Sequence, residues 1–349
     1  MSFKKLRDNP MQRMILLLLV FPIVIRADGL PLFDSDESLD IVLEFPVQNV
    51  LRHAADRPVV DGTAHYQNLD REIVSMPIQV STRGKSRLEA CKFPPLSLTV
   101  KKKSSNGTVF EGQKSLKIVT HCRSSDVFRS YVRQEYGIYE AFNVLTDVSF
   151  RARHMNVTYR DSEKGGAETQ EQAFLIESIG EVASRTNLER QRVTRVKIAQ
   201  IEPRYATLSA LFNFMVGNTD WSVKLSPEES DCCHNGRVLS NPGETTGWKV
   251  VPYDFDQTGI INARYAMPAP QLGIKSVRQR LYRGRCIHNE QLDGVIELFN
   301  ERREGLEEAL LQPGIRNEKM TADYIASFYR IINDAKQREK QIEKRCMAN

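Results

Sequence analysis

Three short segments hold the residue types that metal-assisted transfer chemistry needs. Gly217-Asn218-Thr219-Asp220-Trp221 puts a carboxylate directly after an apolar helical pattern and its glycine stop. His234-Asn235 follows, and Pro252-Tyr253-Asp254-Phe255-Asp256 puts two more carboxylates directly after the apolar run Trp248-Lys249-Val250-Val251. A carboxylate at the end of a rigid element is held in place, as a working site requires. A hard cation such as Mg²⁺ or Mn²⁺ is bound by one or two carboxylates together with substrate phosphates, and an amide carbonyl can complete its shell. Asp254, Asp256 and Asn235 have the donor types for that cation, and Asp220 is left to orient or deprotonate a hydroxyl. Taken singly, each Asp has an ordinary use, closing a turn through its side chain. The combination is more demanding: an Asp after a helix, then an Asn, then an Asp after a strand.

The elements that must position these residues follow from hydrophobic periodicity. Tyr205, Leu208, Leu211, Phe212 and Met215 fit one buried helix face, stopped by Gly217. Upstream the pattern is strand-like, at 41–47, 78–82, 96–100 and 116–120, with turn signals at Arg83-Gly84-Lys85, Pro94-Pro95 and Ser104-Ser105-Asn106-Gly107. This reads as an antiparallel sheet. One helix, capped at Ser125 and carrying Phe128, Val132, Tyr136, Tyr139 and Phe142, runs to about Thr146, and strands at 150–159 and 173–177 follow. The last third is helical, with apolar faces at Leu292, Ile296, Phe299, Leu306 and Leu310 and at Tyr324, Ile325, Phe328 and Ile332. Strands and helices so segregated indicate an α+β protein, with a β-rich half at 28–180 and a mainly helical half at 181–349.

Composition bounds the function. With 349 residues, 41% hydrophobic and 27% charged, the chain is an ordinary globular protein of one large or two modest domains. Its net charge of +5 is concentrated at the N-terminus, where Lys4, Lys5, Arg7, Arg13 and Arg26 against Asp8 supply 5 − 1 = +4. The remainder is nearly neutral, so charge gives no ground for nucleic-acid binding. The apolar run 14–25 behind those basic residues has the layout of an export signal, removed near Ala27, and is too short for a membrane span. No other long apolar run exists, so the processed chain has no stable membrane span. Six cysteines in an exported chain predict disulfides. Neighbouring strands suggest Cys91 with Cys122; Cys233 is assigned to Cys286, adjacent cysteines being poorly disposed to bridge, and Cys232 and Cys346 are left open. Cys232-Cys233-His234 is the nearest approach to a metal-ligand cluster, and with no second ligand pair nearby zinc is the lesser reading of it. Arg278, Arg280, Arg283 and Arg285 suggest a basic face, for phosphate, an acidic partner or solvent. Hydrolase elbows, His-Glu-x-x-His helices and Walker loops do not occur.

The order of these motifs resembles the protein-kinase-like fold, and in detail the spore-coat CotH kinase family and related secreted bacterial proteins. Ser81-Thr82-Arg83-Gly84-Lys85-Ser86 is similar to that family's Arg-Gly-Asn-Ser segment, with Lys85 in place of the Asn. The helix from Asp126, with Arg133-Gln134-Glu135-Tyr136, is similar to the helix after its nucleotide-facing strand, and 217–220 and 254–256 to its catalytic and metal-binding segments. The resemblance covers roughly 75–300. It implies a bilobal kinase-like fold, an antiparallel-sheet lobe with one helix above a mainly helical lobe. It implies Asp220 as the catalytic carboxylate, Asn235, Asp254 and Asp256 as ligands of Mg²⁺ or Mn²⁺, Lys117 on the ATP phosphates and Glu135 as the partner of Lys117. Lys92, Lys114 and Glu140 are substitutes for the last pair.

The activity so implied is phosphate transfer from ATP to a protein or small-molecule hydroxyl, in a secreted or periplasmic setting. ATP is scarce outside the cytoplasm, which leaves open a catalytically inactive kinase fold used for envelope binding or assembly. A third reading takes Asp254-Phe255-Asp256 as the Asp-x-Asp site of a metal-dependent glycosyltransferase, and that reading requires a parallel nucleotide-binding sheet in the N-terminal half.

Overall fold

The computed structural model describes residues 32–224 and 231–348; the export signal read at 1–27 lies outside them. Seven strands, β1 (Leu39–Phe45), β2 (Val60–Gln67), β3 (Ile73–Thr82), β4 (Leu96–Val100), β5 (Ser115–Val119), β6 (Ala152–Asp161) and β7 (Glu168–Ile176), close into a barrel in the order β1-β2-β3-β4-β5-β7-β6. Alternation builds its interior. Leu39, Ile41, Leu43 and Phe45 of β1 point inward with Ala64, Ile78, Val80, Leu98, Leu116 and Val157. Closure is made by β1 lying parallel to β6, from Leu39 opposite Met155 to Phe45 opposite Asp161; every other neighbouring pair is antiparallel. A closed barrel leaves no strand edge for another chain to pair with. Gly62 allows the close approach of β1 and β2, since a Cβ there would stand 2.5 Å from the Glu44 carbonyl oxygen.

This corrects the simpler sheet read from the sequence. β3, β4 and β5 are antiparallel as predicted, but they belong to a closed mixed barrel. Three short helices, α1 (Val47–Arg52), α2 (Ser86–Ala90) and α3 (Lys102–Ser105), accompany the long α4 (Asp126–Leu145) in the same half, where one helix is predicted.

The rest of the chain adds α5 (Ile179–Arg185), α6 (Pro203–Val216), α7 (Leu292–Glu301), α8 (Arg303–Leu310), α9 (Glu318–Asn333) and α10 (Ala335–Arg338). It also adds a small sheet of β8 (Glu189–Arg190), β9 (Gly236–Ser240) and β10 (Lys249–Pro252). The helix α4 is buried on two sides. Tyr139 meets Phe174 of the barrel's outer face and Phe255 below it, and Phe142 packs on Phe212 of α6 with ring centroids 4.7 Å apart. On its other side Gly137 lets α8 approach closely, a Cβ there lying 2.4 Å from the Ala309 carbonyl oxygen. One apolar core therefore runs from the outer face of the barrel into the helical half.

Disulfides pair all six cysteines: Cys91 with Cys122, as predicted, Cys232 with Cys233, and Cys286 with Cys346. The assignment of Cys233 to Cys286 is thus corrected. Residues 285–286 run beside the returning C-terminal segment, where the Cys286 amide donates to the Met347 carbonyl, and this brings Cys346 within a Cα separation of 5.0 Å. Cys232 and Cys233 are buried among Val196, Ile201, Val238, Trp248 and Val250, with no other cysteine in that cluster. Two of the four arginines of 278–285, Arg280 and Arg283, are not part of a free basic face. Arg280 donates to the carbonyls of Phe214, Met215 and Tyr324, closing the C-terminal end of α6, and Arg283 donates to those of Thr219 and Trp221.

Candidate functional site

Asp220 sits in a turn fixed from both sides. Gly217 ends α6 at φ 70°, where a residue with a side chain is strained. The Asn218 side chain donates to Asn213 Oδ1 and accepts the Asp220 amide at 3.0 Å. Arg283 holds the flanking carbonyls. The carboxylate of Asp220 accepts hydrogen bonds from His234 Nε2 at 2.6 Å and from Asn235 Nδ2 at 3.0 Å. The hydrogen bond to Asp220 is the main cause of a raised His234 pKa. The long chain path between Asp220 and Asn235 is thereby closed: the His234 carbonyl accepts the Ser222 amide, and Asn235 Nδ2 also donates to the Asp220 carbonyl.

Asp254 leaves the end of β10 in the left-handed region, φ 65°, a conformation that non-glycine residues adopt rarely and that, observed here, is a reason to look for function. Its amide donates to the hydroxyl of the buried Tyr139. Its carboxylate accepts no hydrogen bond from any described residue. Asp256, two residues on, is different. It is buried, and its Oδ2 accepts Arg87 Nε at 2.8 Å, while Arg87 Nη2 donates to Glu135 Oε2. One guanidinium thus serves two buried carboxylates, leaving the triad one positive charge short when both acids are ionised. Burial pushes the pKa of Glu135 and of Asp256 upward, and Glu135 Oε1 has no partner.

Lys117 does not pair with Glu135; Arg87 takes that place, and the predicted pairing is corrected. On β5, Leu116 and Ile118 point into the barrel, so Lys117 points out of it, and its Nζ lies 4.3 Å from the centroid of the Tyr253 ring. The Arg237 guanidinium lies over the same ring at 4.6 Å. Desolvation, then the charges of Arg83 and Arg237, lower the Lys117 ammonium to about 7.

These groups surround a cleft of about 410 Å³. Asp220, Asn235, Asp254 and Asp256 line it together, facing Arg57, Arg83 and Arg237; Lys117 stands behind Tyr253 and Glu135 beneath Arg87. A larger hollow of about 670 Å³ lies against β1, β2, β6 and β7 and contains none of them. Among the described residues no three His, Cys, Asp or Glu side chains gather as a metal cage. A divalent cation at Asp254 would therefore draw further oxygens from a phosphate or water, the way Mg²⁺ is commonly held. Asp256 retains only the oxygen that Arg87 leaves free.

Sequence reasoning missed Arg87, Arg237 and Arg57, and it named His234 in the constellation without giving it the role of holding Asp220. Arg87 directly follows the Arg83-Gly84-Lys85-Ser86 segment, but nothing in its spacing ties it to partners 48 and 169 positions away. Arg237 has the signal of an outward position on a buried strand, which seldom distinguishes a ligand-facing cation from a solvated one. In comparisons with known proteins, no family model and no curated protein matches the chain.

Proposed function

We propose that this chain is an exported phosphotransferase of the CotH-like kind, moving phosphate from ATP, with Mg²⁺ or Mn²⁺, to a hydroxyl of a protein or small molecule. A bilobal kinase-like relation between the barrel and the helical half belongs to this proposal. One observation carries it: an unpaired Asp254 carboxylate and an excess of cations, Arg57, Arg83 and Arg237, share one cleft with a carboxylate, Asp220, oriented by two side chains, and Lys117 adds a further cation behind Tyr253. Cations with no carboxylate partners suit polyphosphate oxygens, and a lone carboxylate beside them suits the cation that accompanies those oxygens. The disulfides fit an oxidising compartment outside the cytoplasm.

In this reading Asp220 accepts the proton of the acceptor hydroxyl as its oxygen bonds to the transferring phosphorus and the bond to the nucleoside diphosphate breaks. His234 and Asn235 hold that carboxylate in position. Arg83, Arg237 and Lys117 orient the phosphates, and Arg87 keeps α2, α4 and the segment carrying Asp254 in register. Bound at Asp254, the metal would neutralise charge on the phosphoryl oxygens. The Asp-x-Asp glycosyltransferase reading is weaker, because Asp256 is engaged by Arg87 and the N-terminal half is a largely antiparallel barrel. An inactive fold used for envelope binding keeps one observation in its favour: both Asp220 oxygens are already hydrogen-bonded within the chain.

The test is thermal and chemical unfolding of the mature protein with ATP, with and without Mg²⁺ or Mn²⁺, alongside a phosphate-transfer assay. Stabilisation of about 2.7 kcal/mol is expected at a hundredfold excess over Kd, lost in Asp254→Ala and kept in Asp220→Ala, which loses transfer. Stabilisation without transfer in the wild type favours the binding protein. Absence of any metal-dependent nucleotide effect overturns both nucleotide readings.

A further inference from the structure

A second cationic cavity lies away from the cleft. Its volume is about 250 Å³, and it is bounded by α4 (Val127, Ser130, Tyr131, Gln134), by the segment 260–264 that follows Asp256, and by the start of α9. Three arginines line it, Arg264, Arg278 and Arg316, and no Asp or Glu does. None of the three is ion-paired with a described residue. Arg278 is braced by the Gly259 carbonyl and the Tyr324 ring, and the other two guanidiniums have no side-chain hydrogen bond to a described residue.

The walls themselves are fixed. Along one face of α4, the buried Ser130 Oγ accepts the Arg316 amide at 2.7 Å, Tyr131 Oη accepts the Arg264 amide at 3.3 Å, and the buried Gln134 Nε2 donates to Thr321 Oγ1 at 3.3 Å. Backbone on both sides is thus pinned to one helix while the cationic ends are left without counter-charge. Arg264 and Arg316 are exposed and Arg278 is half-buried, so the guanidiniums are open to a ligand from solvent, and three cations lining one hollow favour an anion among them. The amino end of α9, which has no side-chain cap, opens on the same hollow and adds partial positive charge.

We propose that this cavity binds a compact phosphate-class oxyanion, either free inorganic phosphate or the phosphoryl group of a phosphomonoester. The site is independent of the nucleotide reading of the cleft. Its occupant would bridge the segment leaving Asp254 and Asp256 to α4, the helix that carries Glu135, and would therefore order that segment.

The experiment is calorimetric titration of the full chain with inorganic phosphate, sulfate and O-phosphoserine against chloride at constant ionic strength. It is run also in an Arg83→Gln/Arg237→Gln background to remove cleft binding. Phosphate should bind in both backgrounds, and Arg264→Gln/Arg316→Gln should weaken it about tenfold or more, with Lys319→Gln, an exposed cation outside the cavity, changing it less than about twofold. Tighter binding of O-phosphoserine than of phosphate assigns the phosphomonoester source, and the reverse assigns the free ion. Amide exchange of residues 259–264 should slow with phosphate in the wild type and not in Arg264→Gln/Arg316→Gln. The proposal is overturned if phosphate binds no better than chloride once the cleft arginines are removed, or if Lys319→Gln weakens binding as much as the paired substitution does.

Discussion

The lysine behind Tyr253 makes the crowding of cations in the cleft measurable. Burial, with Arg83 and Arg237 close by, lowers Lys117 from 10.5 to about 7. The folded chain then binds fewer protons than the unfolded chain between those two values, so stability rises with pH across that window and the full cost is felt below it. The difference, 10.5 − 7 = 3.5, corresponds to about 5 kcal/mol at about 1.4 kcal/mol for each unit. Lys117→Met removes that cost and gives up a cation–π contact with Tyr253 of about 1 kcal/mol, so the variant should exceed the wild type by about 3 kcal/mol at neutral pH. By about pH 9 the folded lysine is neutral while the unfolded one is still charged, and linkage then narrows the gap by about 2 kcal/mol. Urea unfolding of both proteins at about pH 7 and about pH 9, at fixed ionic strength and with disulfides intact, reads the gap directly. On the nucleotide reading, the same variant should also lose the stabilisation proposed for ATP. A gap that stays constant or widens with pH would refute the placement of Lys117 among uncompensated cations.

Three further outcomes follow from the geometry. The His234 ring should titrate above 6.5 by NMR in the wild type, and Asp220→Asn should lower its midpoint, because the hydrogen bond to Asp220 is the main cause of the rise. Gly217→Ala should destabilise by about 2 kcal/mol or more, since φ is 70° and the new Cβ would stand 2.1 Å from Tyr324 Oη; Tyr324→Phe should recover part of the loss in denaturant unfolding, and no recovery would mean that backbone strain alone is responsible. Replacing Cys286 and Cys346 by Ser, which opens a loop of 60 positions, should cost about 4 kcal/mol against about 3.7 kcal/mol for Cys91 and Cys122 with 31. Equal denaturation midpoints for wild type and both double variants would contradict that ordering by loop closure.

The parts of this structure that could be read from the sequence are those set by local pattern. The helix ending at Gly217, the helix from Asp126, the strands around Val80, Leu98 and Ile118, and the run before Asp254 lie within a few positions of where periodicity puts them. What periodicity could not supply is pairing at a distance. β2 buries only Ala64 and Tyr66, with Val60 half-buried and Gly62 between, too few for an alternation to show, and the parallel junction of β1 with β6 joins segments more than a hundred positions apart. The site divides the same way. Asp220, Asn235, Asp254 and Asp256 were visible because each stands at the end of an element, whereas Arg87 is defined by partners that only the fold brings near. The assignment of Lys117 to Glu135 failed for a related reason: alternation puts the lysine on the outer face of β5, but only tertiary packing decides that it meets Tyr253 and that Arg87 reaches the glutamate first.

The charges explain why this cleft is more than a loop junction. A fold selected for stability alone would pair Lys117, Arg83 and Arg237 with Asp254 and give the buried triad a second cation, since unpaired charge near a core is costly. Here the two imbalances, cations without carboxylate partners and a lone carboxylate, stand at the same opening. On the proposed reading, each would be relieved by the same occupant, a polyphosphate with its divalent cation, its oxygens toward the arginines and its metal toward Asp254. The parts that must not move are secured by other means: Asp220 by His234, Asn235 and the carbonyls held by Arg283, Asp254 by Tyr139, and the short helix α2 bearing Arg87 by the Cys91–Cys122 bond that follows it. The rigid elements therefore tolerate the strain, and the unbalanced groups remain free for a ligand.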